Sequence, residues 1–271
     1  MQTTSLNTLL LTAFAALLFT ATGCDAVKQA ASEVNTFSVA DDIKLGQQTA
    51  AQIAAAPDKY PILNEAKYGQ VYAYVTGIRD RILATGRVKN ARFFQWEVKI
   101  IQDDKTLNAF CTPGGYIYVY TGLIKYLDSE DQLAGVMGHE MAHADHRHST
   151  RQMTTMYGID ALASMVAGTS TAKMASQIGE QLIGLSFSRE HETEADDNSV
   201  KYLCGTGYKA DGFAEFFVKM SSKGGSTPAF LSTHPSPANR VADIRANAQK
   251  LHCTGTDTKA TEYAKIKRAL P

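Results

Sequence analysis

Apolar and polar positions repeat along this chain with two different periods, and the change of period marks out its elements. Residues 64–84 place Val71, Val75, Ile78 and Ile82 at spacings of three and four, the rhythm of a helix with one buried face. Gly86 closes that helix. Residues 94–101 alternate apolar and polar side chains, as a half-buried strand does. Residues 106–112 form a second predicted strand, which Pro113-Gly114-Gly115 turns into a third, Tyr116–Tyr120. On the third strand Tyr116, Tyr118 and Tyr120 share one face as an amphipathic sheet cover, with Ile117 and Val119 on the other. From Gly122 the period is helical again. A short helix runs to Leu127, and a longer one follows with Ser129 as N-cap and Glu130 and Asp131 as first-turn acids. Leu133, Val136, Met137 and Met141 give the longer helix a broad apolar surface, which predicts burial.

The first 24 residues read as a targeting segment. Leu9 to Phe19 is an apolar run of signal-peptide length, below the ~20 residues that a spanning helix needs. It ends at Ala21-Thr22-Gly23-Cys24, which resembles the lipobox of bacterial lipoproteins and would make Cys24 the acylated first residue of the mature chain. No Lys or Arg precedes the run, and Ala21 stands where a lipobox usually has Leu, so cleavage near Cys24 without a lipid stays open. On either reading the protein leaves the cytoplasm, and a lipid at Cys24 would keep it in the cell envelope. Residues 25–57, rich in Ala, Gln, Ser and Asp, suit a tether and a peripheral helix.

Composition removes one class of function. The chain has 271 residues, enough for a sizeable core, and its 27 Lys and Arg balance 27 Asp and Glu. No net field favours a polyanion, so nucleic acid is excluded as a partner. Beyond Cys24 there are Cys111, Cys204 and Cys253 in a disulfide-permissive compartment. Cys204 lies at an apparent helix end and Cys253 follows the last strong amphipathic helix, so these two are the expected pair, with Cys111 a free thiol.

The chemistry centres on His139-Glu140-Met141-Ala142-His143 in the buried helix. Residues four apart lie on one helix face, so His139 and His143 can hold one metal ion, and Glu140 can reach a water beside it as general base. An extended metal motif would need a third histidine six residues after His143, where Ser149 stands; His146 and His148 are therefore read as structural residues or as outer partners of a ligand, not as ligands. The third ligand is sought in residues 188–197. Glu192 is selected because Asp196, four residues on, shares its face and can accept the outer N–H of a ligand histidine.

Three motifs in order, His139-Glu140-x-x-His143, then Ser188-Arg189-x-x-Glu192-x-Glu194-Ala195-Asp196, then His234-Pro235 followed by Arg240, resemble the zinc metallopeptidase family of HtpX, the CAAX prenyl endopeptidases and the periplasmic proteases BepA and LoiP. Asn108-Ala109-Phe110 and the run from Pro113 to Gly122 look like the hairpin ahead of the metal helix in its soluble members. The LoiP-type lipoproteins are the nearest likeness. The resemblance implies an α+β, gluzincin-like (minimal zincin) fold, mostly helical with a small sheet beside the HExxH helix. It divides the chain into a peptidase domain at 58–253 and a C-terminal tail at 254–271. It implies one Zn2+ held by His139, His143 and Glu192, with Glu140 catalytic. His234 would stabilise an oxyanion or cap the metal as a fourth ligand, and Arg240 would orient acids or contact the transition state. Asn108, Ala109 and Phe110 would form the strand that receives substrate.

The function expected is zinc-dependent cleavage of extended or misfolded envelope proteins, with a lipid-anchored membrane attachment and envelope assembly factors as further partners. The alternatives are a periplasmic chaperone or assembly factor with a latent or structural metal, and a hydrolase of non-peptide amides. Cys111 is a further candidate latch, since a thiolate there would approach zinc, against the plainer role of a small buried hydrophobe. Residues 152–181, rich in Met, read as two helices and a connection, either a lid over the cleft or ordinary core.

Overall fold

The computed structural model describes residues 35–156, 179–223, 228–236 and 239–271. The signal segment, Cys24 and most of the Met-rich stretch lie outside the described residues.

The described elements, in chain order, are α1 (Val39–Ala54), α2 (Gly69–Leu83), β1 (Glu97–Ile101), β2 (Ala109–Thr112), β3 (Tyr116–Tyr120), α3 (Thr121–Tyr126), α4 (Glu130–Asp145), α5 (Arg189–Leu203), α6 (Gly212–Lys223), α7 (Ala229–Thr233), α8 (Arg240–Lys250) and α9 (Ala260–Ala269). Helices surround one small sheet, an α+β arrangement of gluzincin type. Every residue of α4 is buried. The sheet packs on it, and α5 and α6 close round it. Gly138 permits the approach of α5, since a Cβ there would lie 2.8 Å from Ser199 Oγ, and that hydroxyl donates to Gly135 O at 2.8 Å.

The sheet order is β1-β3-β2. β2 and β3 form the expected antiparallel hairpin with Phe110 opposite Tyr118, while β1 lies parallel on the far side of β3 with Ile100 opposite Val119. Both flanking strands are shorter than their alternation suggests. Trp96 has a left-handed φ of 47° and its carbonyl accepts from Arg79 Nη1 at 2.6 Å, so β1 begins only at Glu97. The Asp103 carboxylate accepts from Lys105 N at 2.9 Å and from Thr106 Oγ1 at 2.6 Å, which folds residues read as strand into a turn before β2.

α1 is more than a peripheral helix on a tether. Its Ile53 packs with Tyr60, Ile101, Phe110, Tyr116 and Tyr118, so the tyrosine face of the sheet is itself covered. Gly46 touches Pro113 so closely that a Cβ would overlap its carbonyl oxygen, and Asp42 pairs with Arg147 just beyond α4. Leu45, Thr49 and Ile53, four residues apart, form a stripe narrow enough to hide in a polar composition yet wide enough to bury.

The C-terminal residues 254–271, expected as a tail, are a correction. They carry α9, whose Tyr263 and Ile266 are buried in the main core beside Leu270. Tyr263 donates to Ile124 O at 2.8 Å. The apolar residues recur at spacings of three and four, a signal that the many charges around them conceal.

At the start of α4, Ser129 has extended N-cap geometry, but its hydroxyl bonds the Asp131 carboxylate instead of capping the backbone. Glu130 N donates to Thr258 O at 3.0 Å, and the Glu130 carboxylate accepts from Tyr74, Tyr208 and Arg81. Cys204 at the end of α5 is joined to Cys253 beyond α8, across a separation of 49 residues. Closing a loop of that length in the unfolded chain stabilises the fold by about 4 kcal/mol.

Candidate metal centre

One turn of α4 puts His139 and His143 side by side, with their Nε2 atoms 3.0 Å apart. α5 supplies the acid. Ser188 caps it by accepting from His191 N at 3.2 Å, and in its first turn Glu192 extends Oε1 to 3.3 Å from His143 Nε2 and Oε2 to 3.4 Å from His139 Nε2. His234, at the C-terminus of α7, stacks on Phe230 with ring centroids 4.3 Å apart and places Nδ1 3.0 Å from Glu192 Oε1 and 3.3 Å from His139 Nε2. Donor atoms of all four residues lie within 4.8 Å of one another, and all four are buried. Glu140 stands next to them, its Oε1 3.4 Å from His234 Nε2.

Three imidazoles and a carboxylate at this spacing suit a four-coordinate divalent transition metal such as zinc. The polar atoms left over say the same. Glu140 Oε1 is buried and receives no hydrogen bond among the described residues, and the buried Glu192 Oε2 has only the ion-pair neighbours Arg240 Nη2 at 3.0 Å and His139 Nε2 at 3.4 Å. The electrostatics also call for a cation. Burial disfavours charge on Glu192, but His234 and His139, with hydrogen bonds from His139 and His143, hold its carboxyl far below the usual range. Burial likewise disfavours charge on His139, yet Glu192 and Asp196 push it up to about 9 in the metal-free chain. Burial drives His143 well below its ordinary value, which keeps its ring neutral, and burial raises Glu140.

Around the donors lies a layer of partners. Asp196 Oδ1 is 2.8 Å from His139 Nδ1, the bond for which the spacing of Glu192 and Asp196 was chosen. Arg240 holds both acids: Nε meets Asp196 Oδ2 at 2.7 Å, and Nη2 meets Asp196 Oδ1 at 2.8 Å and Glu192 Oε2 at 3.0 Å. The guanidinium lies over the Phe217 ring at 4.4 Å. Arg240 therefore bridges Asp196 and Glu192. Cys111, the candidate latch, is buried, outside the four-donor group, and its thiol is pushed well up by burial and by Glu140. Its surroundings are those of a small buried hydrophobe.

β2 is an edge strand packed beside α4. Asn108 O accepts from Tyr120 N at 3.2 Å, and Asn108 Oδ1 accepts from Ala109 N at 3.0 Å. Antiparallel alternation then turns the main-chain groups of Phe110 and Thr112 toward β3 and those of Ala109 and Cys111 away from it, on a strand whose four residues are all buried. The Phe110 ring stacks on Tyr118, centroids 4.7 Å apart, on the face covered by α1.

Some residues at the site escape sequence reasoning. Phe187 stacks on His143 at 3.9 Å, and His191 on His148 at 4.3 Å. Glu194 turns to His146 and His148, at 2.6 and 3.1 Å. No spacing rule finds these contacts, because each joins elements distant in the chain.

A paired-histidine helix beside a second helix that carries the acid, with a small sheet at its flank, defines a metallopeptidase of the zincin type. The profile of Peptidase family M48 matches residues 73–248, and the chain belongs to that family of zinc metallopeptidases. It is 29% identical over 208 residues to the putative beta-barrel assembly-enhancing protease of Vibrio cholerae, covering 70% of this chain and 40% of that one. It is 27% identical over 233 residues to the beta-barrel assembly-enhancing protease of Escherichia coli K12, covering 80% and 46%. It is 28% identical over 257 residues to the metalloprotease YcaL of the same strain, covering 88% and 96%. The chain thus spans less than half the length of the two assembly-enhancing relatives.

Proposed function

We propose that this chain is a zinc-dependent endopeptidase of the bacterial cell envelope that cleaves extended or misfolded proteins. The observation that carries this reading is the buried group of His139, His143, Glu192 and His234 with Glu140 beside it. His139, His143 and Glu192 would hold zinc. Bound there, zinc supplies Lewis acidity, which acidifies water and polarises the scissile carbonyl. Glu140, made more proton-avid by burial, takes the proton of the attacking water and delivers it to the leaving amine. The edge of β2 away from β3, at Ala109 and Cys111 and next to Asn108 and Phe110, is proposed to bind an extended peptide through main-chain hydrogen bonds, so selection favours unfolded segments over particular sequences.

His234 lies inside the donor group, a placement that supports the capped, resting alternative over the oxyanion role. Its ring withdraws when a carbonyl approaches.

Cys24 is the proposed lipid attachment, left as the first residue when residues 1–23 are cleaved off, with 58–253 the body of the peptidase unit and α9 packed on it. Among the described residues no helix is long and apolar enough to cross a membrane. Envelope assembly factors are proposed partners, a reading supported by the names of the assembly-enhancing relatives. Those names also keep a chaperone-like role in view. One variant separates the two. With zinc-loaded mature chain and casein, Glu140→Gln should retain the metal and lose about 10²–10⁴-fold of cleavage, the usual contribution of a general base. Cleavage at the wild-type rate would sink the peptidase mechanism.

A further inference from the structure

The two ligand histidines of α4 are held in different ways. His139 gives its outer nitrogen to a carboxylate, Asp196, at 2.8 Å. Among the described residues no carboxylate bonds the outer nitrogen of His143. Its Nδ1 instead meets Nδ1 of His148 at 2.9 Å, with the two rings edge to face at 78°. His148 has no exposed surface and is stacked on His191. Its other nitrogen, Nε2, lies 3.1 Å from Glu194 Oε2, and Glu194 Oε1 is 2.6 Å from His146 Nδ1.

Counting protons gives this row a direction. With Nε2 of His143 turned to the metal, its one proton sits on Nδ1 and is donated to His148. Nδ1 of His148 must then be bare, so the proton of that neutral ring is on Nε2 and is donated to Glu194. Each donor faces an acceptor, and the row ends on an anion. We infer that His148 and Glu194 are positioning residues for the metal ligand His143, a histidine–glutamate relay that fixes its tautomer and ring orientation. The inference rests on reading His143 as a ligand.

The rival is a second metal site. His146, His148 and Glu194 bring ligand atoms within 4.8 Å of one another, and a cavity of about 600 Å³ lined in part by His146 and Glu194 lies beside them. His146 Nε2 is buried and receives no partner. A cation on His148 Nε2 would move that ring's proton to Nδ1, opposite the N–H of His143, and two donors would face each other across 2.9 Å. The relay and the second ion exclude each other while the first site is filled.

The test uses the full mature chain, with zinc affinity measured by chelator competition, metal counted by mass spectrometry, and the absorption bands of Co2+ at the site. His148→Leu should weaken zinc binding about 10–100-fold, the usual effect of losing an outer partner, and shift the Co2+ bands. His148→Asn, which keeps an acceptor near Nδ1, should recover most of both. Glu194→Gln, which still accepts from His148, should have a smaller effect, and His146→Ala none. Unchanged affinity and unchanged bands in His148→Leu would overturn the relay, as would a second zinc equivalent in the wild type that His146→Ala removes. If His148→Leu does not fold, His148→Asn and Glu194→Gln decide, and wild-type bands and affinity in both overturn it. His143→Ala reports on the underlying reading alone: zinc held as tightly without that ring would remove His143 from the ligand set.

Discussion

His139, His143, Glu192 and His234 form one cluster, and His146, His148 and Glu194 form another that touches it through the His143–His148 contact. Both are made of imidazoles and a glutamate, and in both the carboxylate is held ionised. For Glu192, burial is outweighed by His234 and His139; for Glu194, hydrogen bonds from His146 and His148 dominate. They differ in what is left over. In the inner cluster two Nε2 atoms face each other at 3.0 Å beside the fully buried Glu192 carboxylate, and Oε1 of the adjacent Glu140 is buried and receives no hydrogen bond among the described residues. In the outer cluster each carboxylate oxygen has a histidine partner, and the Glu194 side chain is 38% exposed. Donor type and proximity therefore do not define a metal site. Lone pairs that no proton already occupies do.

The contrast can be broken most directly at the two acids. Glu192→Ala should raise the zinc dissociation constant by more than about 100-fold, beyond the range of outer partners, while Glu194→Ala should stay within about 10–100-fold. Chelator competition reads both, and equal losses would erase the distinction.

A smaller effect is expected at the histidines that each cluster adds. His234→Ala removes the capping ring and should raise casein hydrolysis by up to about tenfold, as a mostly capped population becomes competent. His146→Ala should leave it unchanged. A fall in the His234 variant would place that ring on the oxyanion instead.

The smallest effect is on stability against pH. Burial pushes His148 down to about 3, so between pH 6.5 and 3 the unfolded chain binds the extra proton and stability declines as pH falls. His139 works in the opposite sense. Despite burial, Glu192 and Asp196 raise it to about 9 in the metal-free chain, so its contribution is complete below pH 6.5 and is lost as pH rises through 9. Melting of the metal-free protein should therefore peak near neutrality, with a shift of about 2–4 °C for each kcal/mol on either limb. His148→Asn should flatten the acid limb and spare the alkaline one.

What could be read in advance follows from how far each relation reaches along the chain. His139 and His143 converge because a helix returns to the same face every four residues, and the same rule ties Glu192 to Asp196 on α5. The hairpin from Ala109 to Tyr120 was legible because Pro113-Gly114-Gly115 allows little else. α1 and α9 were underestimated because their buried stripes are narrow and set in polar surroundings. The start of β1 was misplaced because the left-handed φ of Trp96 is imposed by Arg79 and the packing around it.

By itself the order of residues determined which side chains share a helix face, where the chain turns, and hence which groups were available to bind a metal. Only the tertiary structure decided that Glu192 and His234 meet the α4 histidines, that Arg240 restrains two acids at once, and that Glu194 closes on His148. The physical reason is one of range. Helical and strand periods act over a few residues, whereas the partner of a buried polar atom at this site is set by packing between elements that the sequence keeps 42 to 101 positions apart.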